Sequence, residues 1–107
     1  MKLVLAIVSN EDAGEVTSAL MENDFYMTRL ATTGGFLRAG NTTFIVGTED
    51  NRVDKCIEII GTEAQKRTEV VPSSSNYDIG RLASFPVEVQ VGGATVFVLD
   101  IEQFVKL

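Results

Sequence analysis

The chain has 107 residues, of which 45% are hydrophobic, and its 15 acidic and 9 basic side chains give a net charge of −6. This length and apolar content predict one domain over residues 1–107 with a modest core. The negative charge argues against binding to long nucleic acids, and the absence of histidine removes the commonest general base and metal ligand, so we expect no metal site.

The first predicted elements are a strand and a helix. The apolar run LVLAIV at 3–8 is typical of a strand that is buried on both faces. Ser9 with Asp12 three residues later resembles a capping box, which predicts the start of a helix. The helix should end near Asn23 or Asp24. Its apolar stripe is predicted at Ala13, Val16 and Leu20.

Two strands and a second helix follow. The segments FYMTRLATT at 25–33 and NTTFIVGT at 41–48 have the β-branched and aromatic content of strands. Asp50 or Asn51 is the predicted cap of the second helix. Cys56, the one cysteine, is interpreted as a small buried hydrophobic residue. The apolar stripe of this helix is predicted at Val53, Ile57, Ile60 and Ala64.

The last third of the chain predicts a long loop and a β-hairpin. Residues 71–84 are rich in serine and lack periodicity. PVEVQV and ATVFVLDI then predict two strands joined by a tight turn at Gly92 and Gly93. The order of elements predicts an α+β, ferredoxin-like βαββαβ fold with an additional C-terminal hairpin strand and an antiparallel sheet. Oligomerisation should cover the free sheet face, whose predicted apolar residues are Val87, Val89, Val91, Phe97 and Leu99.

The segment ATTGGFLRAGNTTF at 31–44 is the strongest candidate for a binding site. It matches neither the Walker loop nor the dinucleotide fingerprint. A flexible hairpin loop is one interpretation, but Phe36 and Leu37 would each lose about 1.5–3 kcal/mol of burial in water. A subunit contact or the face of a purine would cover them. Nearby hydroxyl and amide groups suit phosphate and base edges, which favours a nucleotide clamp.

Three motifs together resemble the PII-like cyclic di-AMP receptor family, whose members are small trimeric signalling proteins of Gram-positive bacteria. They are ATTGGFLRAGNTTF, DNRVDKC and FPVEVQVGGATVFVLD, and the similarity extends over nearly the whole chain. The resemblance implies a PII-like homotrimer with a ferredoxin-like core and one cyclic dinucleotide in each of three clefts between subunits. It also implies two mobile loops, at 34–40 and at 71–84.

The resemblance implies roles for the glycine-rich loop. Phe36 and Leu37 would bracket one adenine. Thr28 and the backbone amides around Gly35 would hold a phosphate or a ribose. The edge of the adenine would be read by Asn41 and by other groups of the third strand. The C-terminal EQFVKL would contribute from the adjacent subunit.

Two further positions enter the site through the resemblance. The backbone at Gly47 would join Asn41 in reading the adenine edge. Phe97 would pack on the ligand, although the sequence alone favours a core position for it. The complete set of implied ligand-binding residues is Tyr26, Met27, Thr28, Gly35, Phe36, Leu37, Asn41, Gly47 and Phe97.

This chain departs from the family pattern at two positions. Asp24 stands where family members often have asparagine, and Tyr26 where they often have a basic residue. A carboxylate repels an anionic ligand, and a tyrosine hydroxyl makes a weaker hydrogen bond than a charged donor. We therefore expect either a lower affinity or a compensating charge from Arg29 or Arg38.

The leading functional hypothesis is a non-enzymatic sensor of cyclic di-AMP, without a cofactor, that signals to an unknown protein partner. An alternative is a PII-type sensor of ATP or another adenine nucleotide, and a third is a small hydrolase. The hydrolase would need a base, and the sequence offers only scattered carboxylates such as Asp24 and Asp78. The single cysteine and the lack of an apolar run of about 18 residues predict a cytoplasmic protein that does not span a membrane.

Overall fold

The computed structural model describes residues 1–32, 40–72 and 86–107. The strands are β1 (Lys2–Ser9), β2 (Met27–Thr32), β3 (Asn41–Thr48), β4 (Arg67–Pro72), β5 (Pro86–Val91) and β6 (Ala94–Asp100). The helices are α1 (Asn10–Glu22) and α2 (Val53–Glu63), and a 3₁₀ turn at Asp50–Arg52 precedes α2. The loop predicted at 34–40 lies outside the described residues except for its last position, and so does the predicted loop at 71–84 beyond residue 72.

Four strands form the main antiparallel sheet in the order β2-β3-β1-β6. Alternate residues of β1 and β3, such as Val4 and Phe44, are fully buried in one cluster with residues of both helices. Both helices therefore cover the same face of the sheet. The predicted α+β class is confirmed, and an antiparallel sheet with two helices is consistent with a ferredoxin-like fold.

The predicted C-terminal hairpin is wrong. β5 pairs with β4 in a separate two-stranded sheet, which we call the ribbon, and β6 lies beside β1 in the main sheet. Gly92 and Gly93 both have positive φ, as the predicted turn required, but they lead the chain from the ribbon into the main sheet. Strand β4 was not predicted: residues 71 and 72 were assigned to the loop, and residues 67–70 to no element. Val87, Val89 and Val91, which were predicted on the free face of the main sheet, accordingly belong to the ribbon.

The beginning and end of α1 follow the sequence closely. Ser9 is the N-cap, and its hydroxyl accepts a hydrogen bond from the Glu11 amide at 3.2 Å. After the helix, Asp24 has φ 63°, and the Phe25 amide donates to the Leu20 carbonyl at 2.9 Å. This turn places Phe25 in the core, so β2 begins at residue 27 and not at the predicted residue 25.

Helix α2 differs from its prediction in two details. Asp50 and Asn51 lie in the 3₁₀ turn, and Arg52 occupies the N-cap position without a side-chain cap. The buried stripe includes Ile59, whereas the predicted Ile57 is half-buried. Cys56, Ile59 and Ile60 are three and four residues apart and share one face of the helix, and Ile57 lies at the edge of that face. None of the helices in the described ranges has the length and apolar character needed to cross a membrane.

Cys56 is fully buried in the core of the structure, as the sequence predicted. Burial raises the pKa of its thiol from 9.0 to about 11, which lowers the thiolate fraction near neutral pH by about 100-fold. We expect alkylation by iodoacetamide at pH 8 to be negligible in the folded protein and rapid in urea. Equal labelling rates, measured by mass spectrometry in both conditions, would contradict this placement.

Candidate functional site

The side of the main sheet that faces away from the helices, here called the open face, is apolar and uncovered in the single chain. Phe97 is 53% exposed, Leu99 46% and Leu30 51%. The β1 residues on this side, Leu3, Leu5 and Ile7, are half-buried. The run LVLAIV is thus fully buried on one face only, and its other face needs a cover that one chain does not provide.

The strand register places four of the predicted ligand-binding residues on the open face: Thr28, Asn41, Gly47 and Phe97. Directly paired residues project to the same side of a sheet. Thr28 pairs with Ile45, Ile45 with Leu5, and Leu5 with Phe97. Thr28 and Phe97 therefore lie in one row across the face, separated by three strand spacings, or about 14 Å.

Asn41 and Gly47 occupy opposite ends of β3. Six residue-to-residue steps of extended strand separate them, a distance of about 20 Å. One adenine is too small to contact both residues of the same chain. The expectation that they read one base edge therefore requires that they come from different subunits.

The remaining predicted residues have three different placements. Tyr26 is 85% exposed, immediately before β2. Met27 lies on the helix side of the sheet and packs against the core, so its side chain does not reach the open face. The residues Gly35, Phe36 and Leu37 lie outside the described residues.

Arg29 does not bring its charge to the open face. It pairs with Phe44 on the helix side, and its guanidinium carbon lies 5.9 Å from the centre of the Phe44 ring. Because Thr28 and Arg29 point to opposite sides of β2, Arg29 is unsuited to compensate for Tyr26 in a site on the open face. The other expected source of charge, Arg38, lies outside the described residues.

A groove of about 400 Å³ lies at the end of the sheet where the ribbon joins it. Its lining residues are Ile7, Val8, Ser9, Asn41, Lys66, Gly92, Gly93, Ala94 and Thr95. The Gly93 amide donates to the Ala64 carbonyl at 2.6 Å, and a Cβ atom at Gly93 would have Lys66 at 3.8 Å as its nearest neighbour. The groove has the size of a small-ligand subsite.

The groove combines several hydrogen-bonding groups. The Ser9 hydroxyl accepts from the Glu11 amide and retains its own O–H donor. Thr95 adds a second hydroxyl, Asn41 an amide and Lys66 an ammonium group. Neutral donors together with one cation suit a sugar phosphate. Except for Asn41, the sequence did not predict these residues as ligand-binding, because the glycine pair was interpreted as a hairpin turn.

The base of the ribbon is fixed next to this groove by an ion pair. Arg67 Nη2 donates to Asp12 Oδ1 at 2.9 Å, and Asp12 is only 5% exposed. The hydrogen bond with Asp12 raises the pKa of the Arg67 guanidinium above its usual value. Arg67 Nη1 also donates to the Gln65 carbonyl at 2.9 Å. Asp12 was predicted as part of a capping box, but its carboxylate binds the first residue of the ribbon.

The described residues contain no group of three or more histidine, cysteine, aspartate or glutamate side chains that could hold a metal ion. The fully buried Cys56 is not accessible to a substrate. The groove offers hydrogen-bonding groups and a cation, and the open face offers apolar contact.

Comparison with known proteins gives two findings. A family model described as the cyclic-di-AMP receptor matches residues 1–107. The crystal structure of a functionally unknown protein from Pediococcus pentosaceus ATCC 25745 is also similar, with 40% sequence identity and a TM-score of 0.77. That similarity covers 99% of this chain and 96% of the other.

Proposed function

Because the chain belongs to the cyclic-di-AMP receptor family, we propose that it is a non-enzymatic signalling protein that binds cyclic di-AMP between the subunits of a PII-like homotrimer. The observation that carries this proposal is the open face. It is apolar and uncovered, and it holds Asn41 and Gly47 too far apart for one adenine to contact both in a single chain, with Thr28 and Phe97 on the same face.

Assembly accounts for both properties of the open face. Contact between the sheets of neighbouring subunits would remove Phe97 and Leu99 from water, at about 25 cal/mol per Å² of apolar surface. The same contact would bring the Asn41 end of one β3 near residues of another chain. A cleft formed in this way would surround one dinucleotide with groups from two subunits.

The ligand would occupy the groove and the cleft together. The groove beside Asn41 supplies hydroxyls and a cation for sugar and phosphate, and Phe36 and Leu37 would close on an adenine. Cyclic di-AMP would order the predicted loops at 34–40 and 71–84. The ratio of ordered to unordered loops would rise only by the ratio of the ligand's affinities for the ordered and the unordered state. The ordered surface would then be read by a downstream protein partner in the cytoplasm.

Isothermal titration of the intact protein with cyclic di-AMP, ATP and cyclic di-GMP tests the proposal. We expect saturable binding of cyclic di-AMP, with one site per subunit and weaker binding of the other two ligands. Light scattering should give three times the mass of the chain. Negligible heat with all three ligands would exclude the receptor function, and a monomeric mass would exclude the cleft.

Replacing Asn41 with alanine should weaken binding of cyclic di-AMP about five- to thirtyfold, because a buried hydrogen bond to the ligand contributes about 1–2 kcal/mol. Asn51→Ala is the matched control. Asn51 is exposed in the 3₁₀ turn, away from the groove. An affinity of Asn41→Ala equal to that of the control, with an intact trimer in both variants, would remove Asn41 from the site.

A further inference from the structure

The proposed site must balance the negative charge of its ligand. Cyclic di-AMP carries two phosphodiester charges, and Tyr26, one of the implied ligand-binding residues, offers a hydroxyl and no cation. The net charge of −6 opposes an anionic ligand at long range. Arg29 is held on the helix side of the sheet against Phe44.

Among the described cations, Lys66 alone lines the groove. The others are Lys2, Arg29, Arg52, Lys55, Arg67 and Lys106. Lys2 is paired with Asp100, and Arg67 with the buried Asp12. Arg52 stacks on Phe25 at 4.0 Å and donates to the carbonyl of Asn23 at 2.7 Å.

Local structure sets the position of Lys66. It follows α2 and immediately precedes the ribbon, which the ion pair of its neighbour Arg67 anchors to Asp12. The Cγ atom of Lys66 lies 4.0 Å from where a Cβ atom of Gly93 would stand. Since Gly93 has no side chain, the aliphatic part of Lys66 can lie along the groove wall while its ammonium group reaches a ligand. The ion pairs of the described residues involve Lys2, Arg67 and the amino terminus. The ammonium group of Lys66 can therefore pair with an anionic ligand.

We propose that Lys66 binds a phosphodiester of the ligand in this groove and supplies the charge that Tyr26 does not. This inference rests on the proposed binding of cyclic di-AMP and assigns the phosphate subsite to the junction of Lys66, Gly92 and Gly93. The neutral groups of the subsite, the hydroxyls of Ser9 and Thr95, donate to the same phosphate oxygens or to the sugar.

The test compares Lys66→Gln with Lys55→Gln in the intact protein. Both variants have a net charge of −7 (−6 − 1), so long-range repulsion of the ligand is the same in both. Lys55 is exposed on α2 and does not line the groove. Titration with cyclic di-AMP should show that Lys66→Gln binds about tenfold more weakly than Lys55→Gln, since one charge-assisted hydrogen bond is lost. Lys66→Arg should retain most of the affinity.

The salt dependence of binding separates a direct contact from a structural role. We expect the affinity of the wild-type protein and of Lys55→Gln to fall more steeply with sodium chloride than that of Lys66→Gln. Equal affinities and equal salt slopes in the two glutamine variants would overturn the inference while leaving the receptor function standing. Absence of binding to the wild-type protein would overturn the receptor function and this inference with it.

Discussion

Replacing Arg67 with leucine is expected to destabilise the protein by about 3 kcal/mol, because the substitution leaves the Asp12 carboxylate buried without its partner. Asp12 is 5% exposed, and both of its oxygens accept from the Arg67 guanidinium, at 2.9 and 3.4 Å. Urea unfolding at a fixed protein concentration measures the change, since assembly contributes to stability.

Substitution of the other member of the pair, Asp12→Asn, should lower the free energy of unfolding by less than Arg67→Leu does. The Arg67 side chain is 36% exposed and has Glu11 and Glu69 within 4 Å, so its charge keeps water and other carboxylates as partners. The double variant should be more stable than the sum of the two single effects predicts, because it removes both members of the pair. Equal costs that add in the double variant would show that the ion pair does not hold the ribbon.

The sequence predicted those elements whose signals are local. β3 has the predicted bounds, and β1 and α1 differ from theirs by a residue or two at each end. Ser9 is a cap because its hydroxyl bonds an amide two residues later, and such a contact can be read from spacing alone. The late start of β2 depends on the positive φ of Asp24, which no apolar pattern indicates.

Strand pairing was not predictable in the same way. PVEVQV and ATVFVLDI flank a glycine pair whose positive φ values suit a tight hairpin turn. β5 pairs instead with β4, whose first residue, Arg67, contacts Asp12, 55 positions earlier in the chain. A contact between residues so far apart in the chain produces no periodic pattern in the sequence. The alternating pattern of β5 is compatible with pairing to β6, as predicted, and with pairing to β4, as observed.

The candidate site was predicted in part for a related reason. The open face holds Thr28, Asn41, Gly47 and Phe97. Every second residue of a strand points to the same side of the sheet, and directly paired residues of neighbouring strands do so too. Lys66 and Gly92 meet in the groove only because the ribbon leaves the sheet at that point. Their proximity follows from the β4–β5 pairing, and it could not be inferred once a hairpin was assumed.

Replacing Gly92 with alanine is expected to have the larger effect of two matched glycine substitutions at this junction. Gly92 and Gly93 have nearly the same φ, +84° and +87°, so both alanine variants bear a similar backbone strain of about 1–2 kcal/mol. A Cβ atom at Gly93 meets nothing closer than 3.8 Å. A Cβ atom at Gly92 would overlap the carbonyl oxygen of Gln65 and lie 2.5 Å from Arg67 Nη1.

The added methyl group at Gly92 is therefore expected to displace the Arg67 guanidinium from Asp12. Because Gly92 lines the groove, the same displacement should change the shape of the groove. We expect Gly92→Ala to unfold at lower urea than Gly93→Ala, with a difference of at least about 2 kcal/mol, and to lose affinity for cyclic di-AMP with it. The double variant with Arg67→Leu should be destabilised by less than the sum of the two single effects, because each change breaks the same ion pair, while the backbone strain and the overlap with the Gln65 carbonyl remain. If the two glycine variants are equally stable and bind equally well, the ribbon can rotate about this junction without loss, and neither the ion pair nor the groove depends on its orientation.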